Sequence, residues 1–189
     1  MKKIVLAALA ATSALIAVPA SAQTVTGTVN LTGSVAPKCF VLPGNGGTFT
    51  GSVNFGELAA ADGTLRSGLS GDVTAAALAF RVLCTTANPD VTVDASPLAT
   101  ATAATAGYAN TINYAAHVAF SIVGGGTDNV SNDSSAPAAT AATLSGRLNG
   151  VGTNIAITAD TFRTAAATDI LVASPTYTGS IVVTVAPGA

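Results

Sequence analysis

The sequence has little of what enzymes and nucleic-acid-binding proteins rely on. It contains no tryptophan, one histidine (His117), one glutamate (Glu57) and only 8% charged residues. A closed zinc site takes four ligands, which one histidine and two cysteines cannot supply. Nucleic-acid binders carry clustered Lys and Arg, whereas the few cations here are scattered. We therefore expect no nucleic-acid partner, no cofactor and no bound metal.

The first 22 residues have the form of a secretory signal peptide. Lys2-Lys3 precedes an apolar run, Ile4–Val18, and Ala20-Ser21-Ala22 supplies the small-x-small pattern of a cleavage site. The run is shorter than the about 20 apolar residues of a membrane-spanning helix, and no later stretch is longer. We expect residues 1–22 to be removed, and the mature chain, 23–189, to be exported without inserting into a membrane.

The mature chain contains two cysteines, Cys39 and Cys84. An even number of cysteines in an exported chain predicts a disulfide. Phe80, Val82 and Cys84 fall at every second position, so Cys84 is expected on the inward face of a strand. The prediction is one bond that joins adjacent strands near the start of the domain.

Apolar residues alternate with period two, which predicts strands rather than helices. The clearest alternating segments are Val25–Val35, Thr111–Val123 and Tyr177–Val185. Other strands are expected at Val73–Thr85 and Asp90–Ala95, with shorter or weaker ones near 53–55, 144–148 and 154–158. Two polar or Gly-rich stretches, 57–72 and 124–142, are expected to be loops. Short strands between turn signals predict an all-β fold, most simply a β-sandwich.

Several local patterns follow one another along the mature chain. An alternating segment leads into Cys39, and Asn54-Phe55-Gly56 comes next. One strand ends in VLCTT and the next reads PDVTVDAS. TINYAAHVAFSI lies past the middle, and YTGSIVVTVAPG lies near the end. In this order, and with this cysteine spacing, the chain resembles the spore coat protein U family, which overlaps with archaic chaperone–usher pilins.

The resemblance implies an immunoglobulin-like β-sandwich over residues 37–189 that lacks its final strand. A periplasmic chaperone lends that strand, and in the fibre the N-terminal extension of the neighbouring subunit replaces it. Residues 23–36 would be this donor strand. Its anchors share one face: Val25, Gly27, Val29, Leu31, Gly33 and Val35. The implied protein is a structural pilus (fimbrium) subunit, assembled by donor-strand exchange through an outer-membrane usher and located at the cell surface or secreted.

Other interpretations of the same residues stay open. The alternation of Val25–Val35 also fits an ordinary first strand of a complete sandwich. A complete sandwich favours a secreted binding module, an adhesin that recognises carbohydrate or a surface through the 124–142 loop. An enzyme ranks third, because His117 lies opposite the apolar face of its strand and is expected as a solvated residue, not a catalytic base.

Overall fold

The computed structural model describes residues 24–188. The expected signal peptide, 1–22, lies outside the described residues. The chain divides into two compact units, Met1–Ser34 and Val35–Ala189. The described part of the first unit, 24–34, forms neither helix nor strand. No helix within the described residues is long and apolar enough to cross a membrane.

The second unit consists almost entirely of β-strands. Its one helix within the described chain is α1, Leu69–Ala75. The strands in chain order are β1 Cys39–Leu42, β2 Ala79–Cys84, β3 Asp90–Ala99, β4 Tyr108–Ala109, β5 Thr111–Ser121, β6 Thr127–Asp133, β7 Thr140–Thr143, β8 Ile155–Arg163, β9 Ile170–Leu171 and β10 Thr178–Ala186. The prediction of an all-β fold is confirmed.

Eight strands form one sheet in the order β1-β2-β8-β5-β3-β10, with β6 beside β5 and β7 beside β3. Strand β5 joins the two halves of this sheet. Its first residues, Thr111 and Ile112, pair with the end of β3, and the rest of β5 pairs with β6 and β8. The sheet therefore nearly closes on itself. The short strands β4 and β9 form a separate parallel pair.

The inward faces of both halves of the sheet fill a single core. On β5 every second residue is buried, as its alternation predicts: Ile112, Tyr114, Ala116, Val118 and Phe120. On β3 the buried residues include Val91, Val93 and Ala95. Burying this apolar surface is the main stabilising contribution to the fold.

Antiparallel pairing gives the second unit two distinct ends. At one, which we call the disulfide end, Cys39 begins β1, Cys84 ends β2 and Ala186 ends β10. At the other, the helix end, α1 precedes β2, and the β4–β9 pair lies near the start of β5. These two ends define the direction of every strand discussed below.

The predicted disulfide is confirmed. Cys39 and Cys84 lie directly opposite each other on β1 and β2, and their sulfurs are 2.04 Å apart. Cys84 faces inward and is 7% exposed, in agreement with the phase of its strand.

The expected loop over 124–142 is wrong. Its residues form β6 and β7, and Gly124 and Gly125 make the turn into β6 with φ angles of 97° and 88°. The composition misleads because β6 needs only two inward residues, Val130 and Asn132, and exposes the polar remainder. A positive φ favours glycine, so the glycine run marks a tight turn rather than a long loop.

Three shorter assignments also differ from the structure. Helix α1 takes the end of the expected loop 57–72 and the start of the expected strand Val73–Thr85, because Leu69 and Val73, one helical turn apart, are both buried. The rest of that expected strand contains β2. The expected strand at 144–148 contributes two buried leucines and an isolated bridge, Ile122 with Leu148. Residues 53–55 form no strand.

Candidate functional site

An open groove separates the two terminal strands of the sheet. Within the described residues, β1 pairs as a strand only with β2, and β10 pairs only with β3. One wall of the groove is β1 together with the segment that follows it, 47–58. The other wall is β10 together with the segment that precedes it, 172–177. No described strand lies between these walls.

The groove has a narrow part and a wide part. The narrow part, near the disulfide end, has a volume of about 410 Å³ and lies between Cys39–Val41 and Ile181–Val185. The wide part has a volume of about 1040 Å³ and extends towards the helix end, where Phe55, Glu57 and Tyr177 line it. Ile181 and Phe49 border both parts, so the two are continuous.

The inward side chains of β10 are only half covered. Ile181, Val183 and Val185 face the core but stay half-buried. On the neighbouring strand, Val91 and Val93 are at most 1% exposed. The two strands have the same kind of inward residue, so the difference comes from what covers them. A further layer of apolar side chains over β10 would complete the burial.

Aromatic rings form the floor of the wide part. The rings of Tyr114 and Phe162 stack with centroids 5.3 Å apart, and Phe55 meets Phe162 edge-on at 5.6 Å. Burial raises the pKa of Tyr114 to about 12 and also raises the pKa of Tyr177. The Tyr177 hydroxyl donates to the carbonyl oxygen of Val172, 2.8 Å away, and so joins the two ends of the segment that precedes β10.

The proposed donor segment is strongly exposed. Its apolar anchors are 77–91% exposed, namely Val25, Val29, Leu31 and Val35, and Gly27 and Gly33 are exposed as well. Single exposed apolar residues are common, but these four share one parity within residues 25–35 and so form a row on one face of an extended segment. The assignment of these residues as donor-strand anchors stays a prediction.

The only histidine takes part in a row of side chains across three strands. His117 Nδ1 lies 2.7 Å from Ser131 Oγ on β6, and its Nε2 lies 3.1 Å from Asp160 Oδ1 on β8. The sequence did not indicate this row, because its members are 14 and 43 residues apart. The three residues sit on the outward face, and none of them lines the groove.

Strand β5, which carries His117, has no uncommitted backbone amides beside this residue to stabilise negative charge as a hydrolase site does. Catalytic Ser–His–Asp sites need backbone donors aimed at a developing oxyanion. Around His117, β5 is hydrogen-bonded to β6 on one side and β8 on the other, so its amides are committed to the sheet. The row of Ser131, His117 and Asp160 is therefore a polar link between strands β6, β5 and β8.

Other polar residues do not converge on a ligand. Within residues 24–188, no group of three or more His, Cys, Asp and Glu side chains could hold a metal ion. In β6, the oxygens of Asp128 accept bonds from Ser145, whereas Asn132 is buried and accepts a bond from the Ala95 amide. The groove, by contrast, is open, and within the described residues each of its two bordering strands pairs on one side only.

No protein-family model matches this chain, and neither does any curated protein or any solved structure.

Proposed function

We propose that this protein is a structural fibre subunit, an immunoglobulin-like sandwich that lacks one strand and receives it from the next copy. The observation that carries the proposal is the groove between β1 and β10 in an otherwise nearly closed sheet. An unpaired strand edge beside an apolar groove is the usual acceptor for an added strand, because the added strand can pair its backbone with the edge while its alternate side chains fill the groove.

The N-terminal segment has the chemistry to fill this groove. Its apolar anchors alternate, so Val25, Val29, Leu31 and Val35 can all point to one side of an extended strand. Full burial of each would contribute roughly 1.5–3 kcal/mol as an upper estimate. The partner surface is β10 with Ile181, Val183 and Val185, whose half-buried side chains would gain the cover they lack.

The lengths also agree. Strand β10 has nine residues and so spans about 30 Å. Residues 25–35 span about 35 Å when extended, which is enough to run the length of β10 and leave the groove at its far end.

The direction of the donor strand decides what kind of assembly forms. Each chain enters its own domain at the disulfide end, where Thr85 bonds to Ala36 and Lys38. Strand β10 runs from the helix end to the disulfide end, so a donor antiparallel to it leaves the acceptor at the helix end. The disulfide end of the donating subunit then meets the helix end of the accepting subunit, and further subunits can be added. A parallel donor would join two disulfide ends and close a reciprocal dimer. We propose the antiparallel arrangement, which gives a fibre.

Such a subunit needs its groove and its apolar segment protected during export. A subunit with an empty groove and an exposed apolar segment is prone to premature pairing. We therefore propose a periplasmic chaperone that covers the groove and an outer-membrane usher that exchanges it for the next subunit. The final location is the cell surface, and the function is structural rather than enzymatic.

The proposal is tested with one defective donor and one defective acceptor. Leu31→Asp places a carboxylate on the donor face, and Val183→Asp places one in the groove. Either carboxylate would be buried unpaired at a cost of several kcal/mol. Each purified variant should stay monomeric alone. A mixture should form heterodimers only, because one variant still accepts and the other still donates; light scattering coupled to gel filtration measures the masses.

Two neighbouring positions supply matched controls. Thr32→Asp and Val182→Asp add the same charge to the opposite face of each strand, where Val182 is 54% exposed. Both controls should assemble as the wild type does. Continued assembly of the Leu31→Asp variant alone would exclude the donor role. If Val183→Asp does not fold, Val185→Thr serves as a milder groove variant and should weaken assembly.

A further inference from the structure

The disulfide end carries cations near the point where the N-terminal segment joins the domain. Lys38 and Arg147 lie on either side of Thr85: the Lys38 amide donates to Thr85 Oγ1, and the Arg147 guanidinium donates to the carbonyl oxygens of Cys84 and Thr85. Neither cation forms an ion pair with any residue that the structure describes. The carboxylates at this end, Asp90 and Asp128, accept bonds from Thr143 and Ser145.

The helix end carries an excess of carboxylates. Two of its carboxylates are paired, Asp72 with Arg66 and Asp133 with Arg163. Three more have no cation among the described residues and bond only within their own turns: Glu57 to the Ala59 amide, Asp62 to Thr64, and Asp169 to the Ala166 amide. We call these three the acidic rim.

One member of the acidic rim borders the groove, and the other two lie in neighbouring turns. Glu57 lines the wide part of the groove. The Leu171 amide donates to the carbonyl oxygen of Gly63, and Gly63 lies against Ile170, so the turns that hold Asp62 and Asp169 are adjacent.

The length of the chain between donor and domain brings the two charges together. Lys38 follows Val35 by three residues, so it lies within about 10 Å of wherever Val35 leaves an acceptor. For an antiparallel donor, that exit is the helix end, at the mouth lined by Glu57. The covalent link to Val35 therefore keeps Lys38 near the acidic rim at any tilt between the two subunits.

We propose that the Lys38–Arg147 end of one copy docks onto the acidic rim around Glu57 of the next copy. This contact rests on the proposed function and adds a second, electrostatic interface to the donor strand. Opposite charges at facing surfaces accelerate association and set the orientation of the partners more than they add affinity. The contact favours disulfide end to helix end, whereas in the closed dimer Lys38 of each copy would instead approach Lys38 and Arg147 of the other.

The test is a charge exchange in the mature chain. Lys38→Glu and Glu57→Lys should each slow assembly about tenfold at low salt, because each places like charges at the junction. The double variant carries both changes, restores an opposite-charge contact and should assemble at close to the wild-type rate. At about 1 M salt, where charges are screened beyond about 3 Å, all four proteins should assemble at similar rates.

Asp94→Lys is the matched control for Glu57→Lys. Asp94 lies mid-strand on β3, away from both ends, and the substitution makes the same change in net charge. It should leave the assembly rate unchanged at low salt. Equal slowing by Asp94→Lys and Glu57→Lys, or no rescue in the double variant, would overturn the docking proposal.

A peptide of residues 24–36 separates this proposal from the one on which it rests. The peptide has the donor anchors and lacks Lys38, so it should bind the Leu31→Asp subunit with the same affinity whether or not that subunit also carries Asp62→Lys, a change in the acidic rim at a residue that does not line the groove. Peptide binding without an effect of the charge exchange would reject the docking contact and keep the donor strand. Absence of peptide binding to the Leu31→Asp subunit would reject the donor strand itself.

Discussion

Tyr114 links strand β10 to the core. Its hydroxyl lies 2.8 Å from the carbonyl oxygen of Ser96 on β3 and 2.9 Å from that of Ser180 on β10. Burial raises the pKa of Tyr114 to about 12, because a phenolate would lose its hydration inside the protein. The ring also stacks on Phe162 at the floor of the groove, so this side chain supports both wall and floor.

We predict alkaline sensitivity that originates at Tyr114. Since the pKa is raised on folding, the folded state holds this proton more tightly than the unfolded state does. The resulting stability is complete below pH 10 and is lost as the pH rises through about 12. Tyr114→Phe should therefore lose less stability between pH 10 and 12 than the wild type, although it is about 1 kcal/mol less stable at neutral pH. Urea unfolding at several pH values measures this.

The exposed Tyr108 is the control for that experiment. Tyr108→Phe removes a tyrosine hydroxyl from a side chain that is 47% exposed, and so separates the loss of any hydroxyl from the loss of the buried hydroxyl of Tyr114. Tyr177 also has a raised pKa, so the Tyr114→Phe variant should keep a smaller alkaline loss. Identical alkaline curves for Tyr114→Phe and the wild type would contradict the assignment.

Two buried amides act in the same way as Tyr114, as links between strands. Asn154 is 1% exposed; it accepts a bond from the Val82 amide and donates to the Val82 carbonyl oxygen, 2.6 Å away. Asn132 on β6 accepts a bond from the Ala95 amide on β3. From the sequence, Asn132 is expected in the polar loop 124–142 and Asn154 at the start of a weak strand. Only the positions of their distant partners make them part of the core.

Among the secondary-structure elements, β1 depends most on a covalent link. It has four residues, all half-buried, and pairs with β2 alone apart from one bond from the Val41 amide to Gly46. The disulfide joins its first residue to the last residue of β2. Since β1 is also a wall of the groove, the disulfide keeps this wall in place.

We predict that replacing both cysteines destabilises the subunit and weakens its assembly. The bond closes a loop with a sequence separation of 45, which stabilises by roughly 4 kcal/mol in the chain-entropy view. The Cys39→Ala/Cys84→Ala variant should lose about that much free energy of unfolding, measured in urea. The wild type in excess reductant should shift towards the same midpoint, and a loss below about 1 kcal/mol would contradict the prediction.

At the scale of the whole molecule, the proposed function makes this protein a fold whose last strand is supplied by another copy. Stability is then linked to donor binding by mass action. We predict that a peptide of residues 24–36, at 100 times its dissociation constant, raises the free energy of unfolding of the Leu31→Asp subunit by about 2.7 kcal/mol. For a domain of this size the corresponding increase in melting temperature is roughly 5–10 °C, which differential scanning fluorimetry resolves.

Two altered peptides make that result specific. A peptide with Leu31→Asp should have no effect on the melting temperature, because its carboxylate would be buried. A peptide with Thr32→Asp should still stabilise the subunit, since that side chain faces away from the groove. Equal stabilisation by all three peptides would indicate non-specific binding instead of strand addition.

The sequence alone determined the features that depend on local pattern and composition. Alternation with period two established the β-class and the inward phase of β5, because a side chain's face in a strand is set by its parity. The signal-like N-terminus and the even cysteine count predicted the disulfide from redox chemistry alone. The alternating segment Val25–Val35 was recognisable as an apolar strand former, but its pattern is the same whether it pairs within its own sheet or elsewhere.

The tertiary structure decided everything that depends on which distant residues meet. It turned the polar stretch 124–142 into strands β6 and β7, since a strand beside β5 needs only Val130 and Asn132 inside. It placed α1 across the boundary between the expected loop 57–72 and the expected strand Val73–Thr85, because Leu69 and Val73 are buried together one helical turn apart. Above all, it placed β1 and β10 at the two edges of one sheet with a groove between them. Strand order comes from long-range backbone pairing, which local periodicity does not encode.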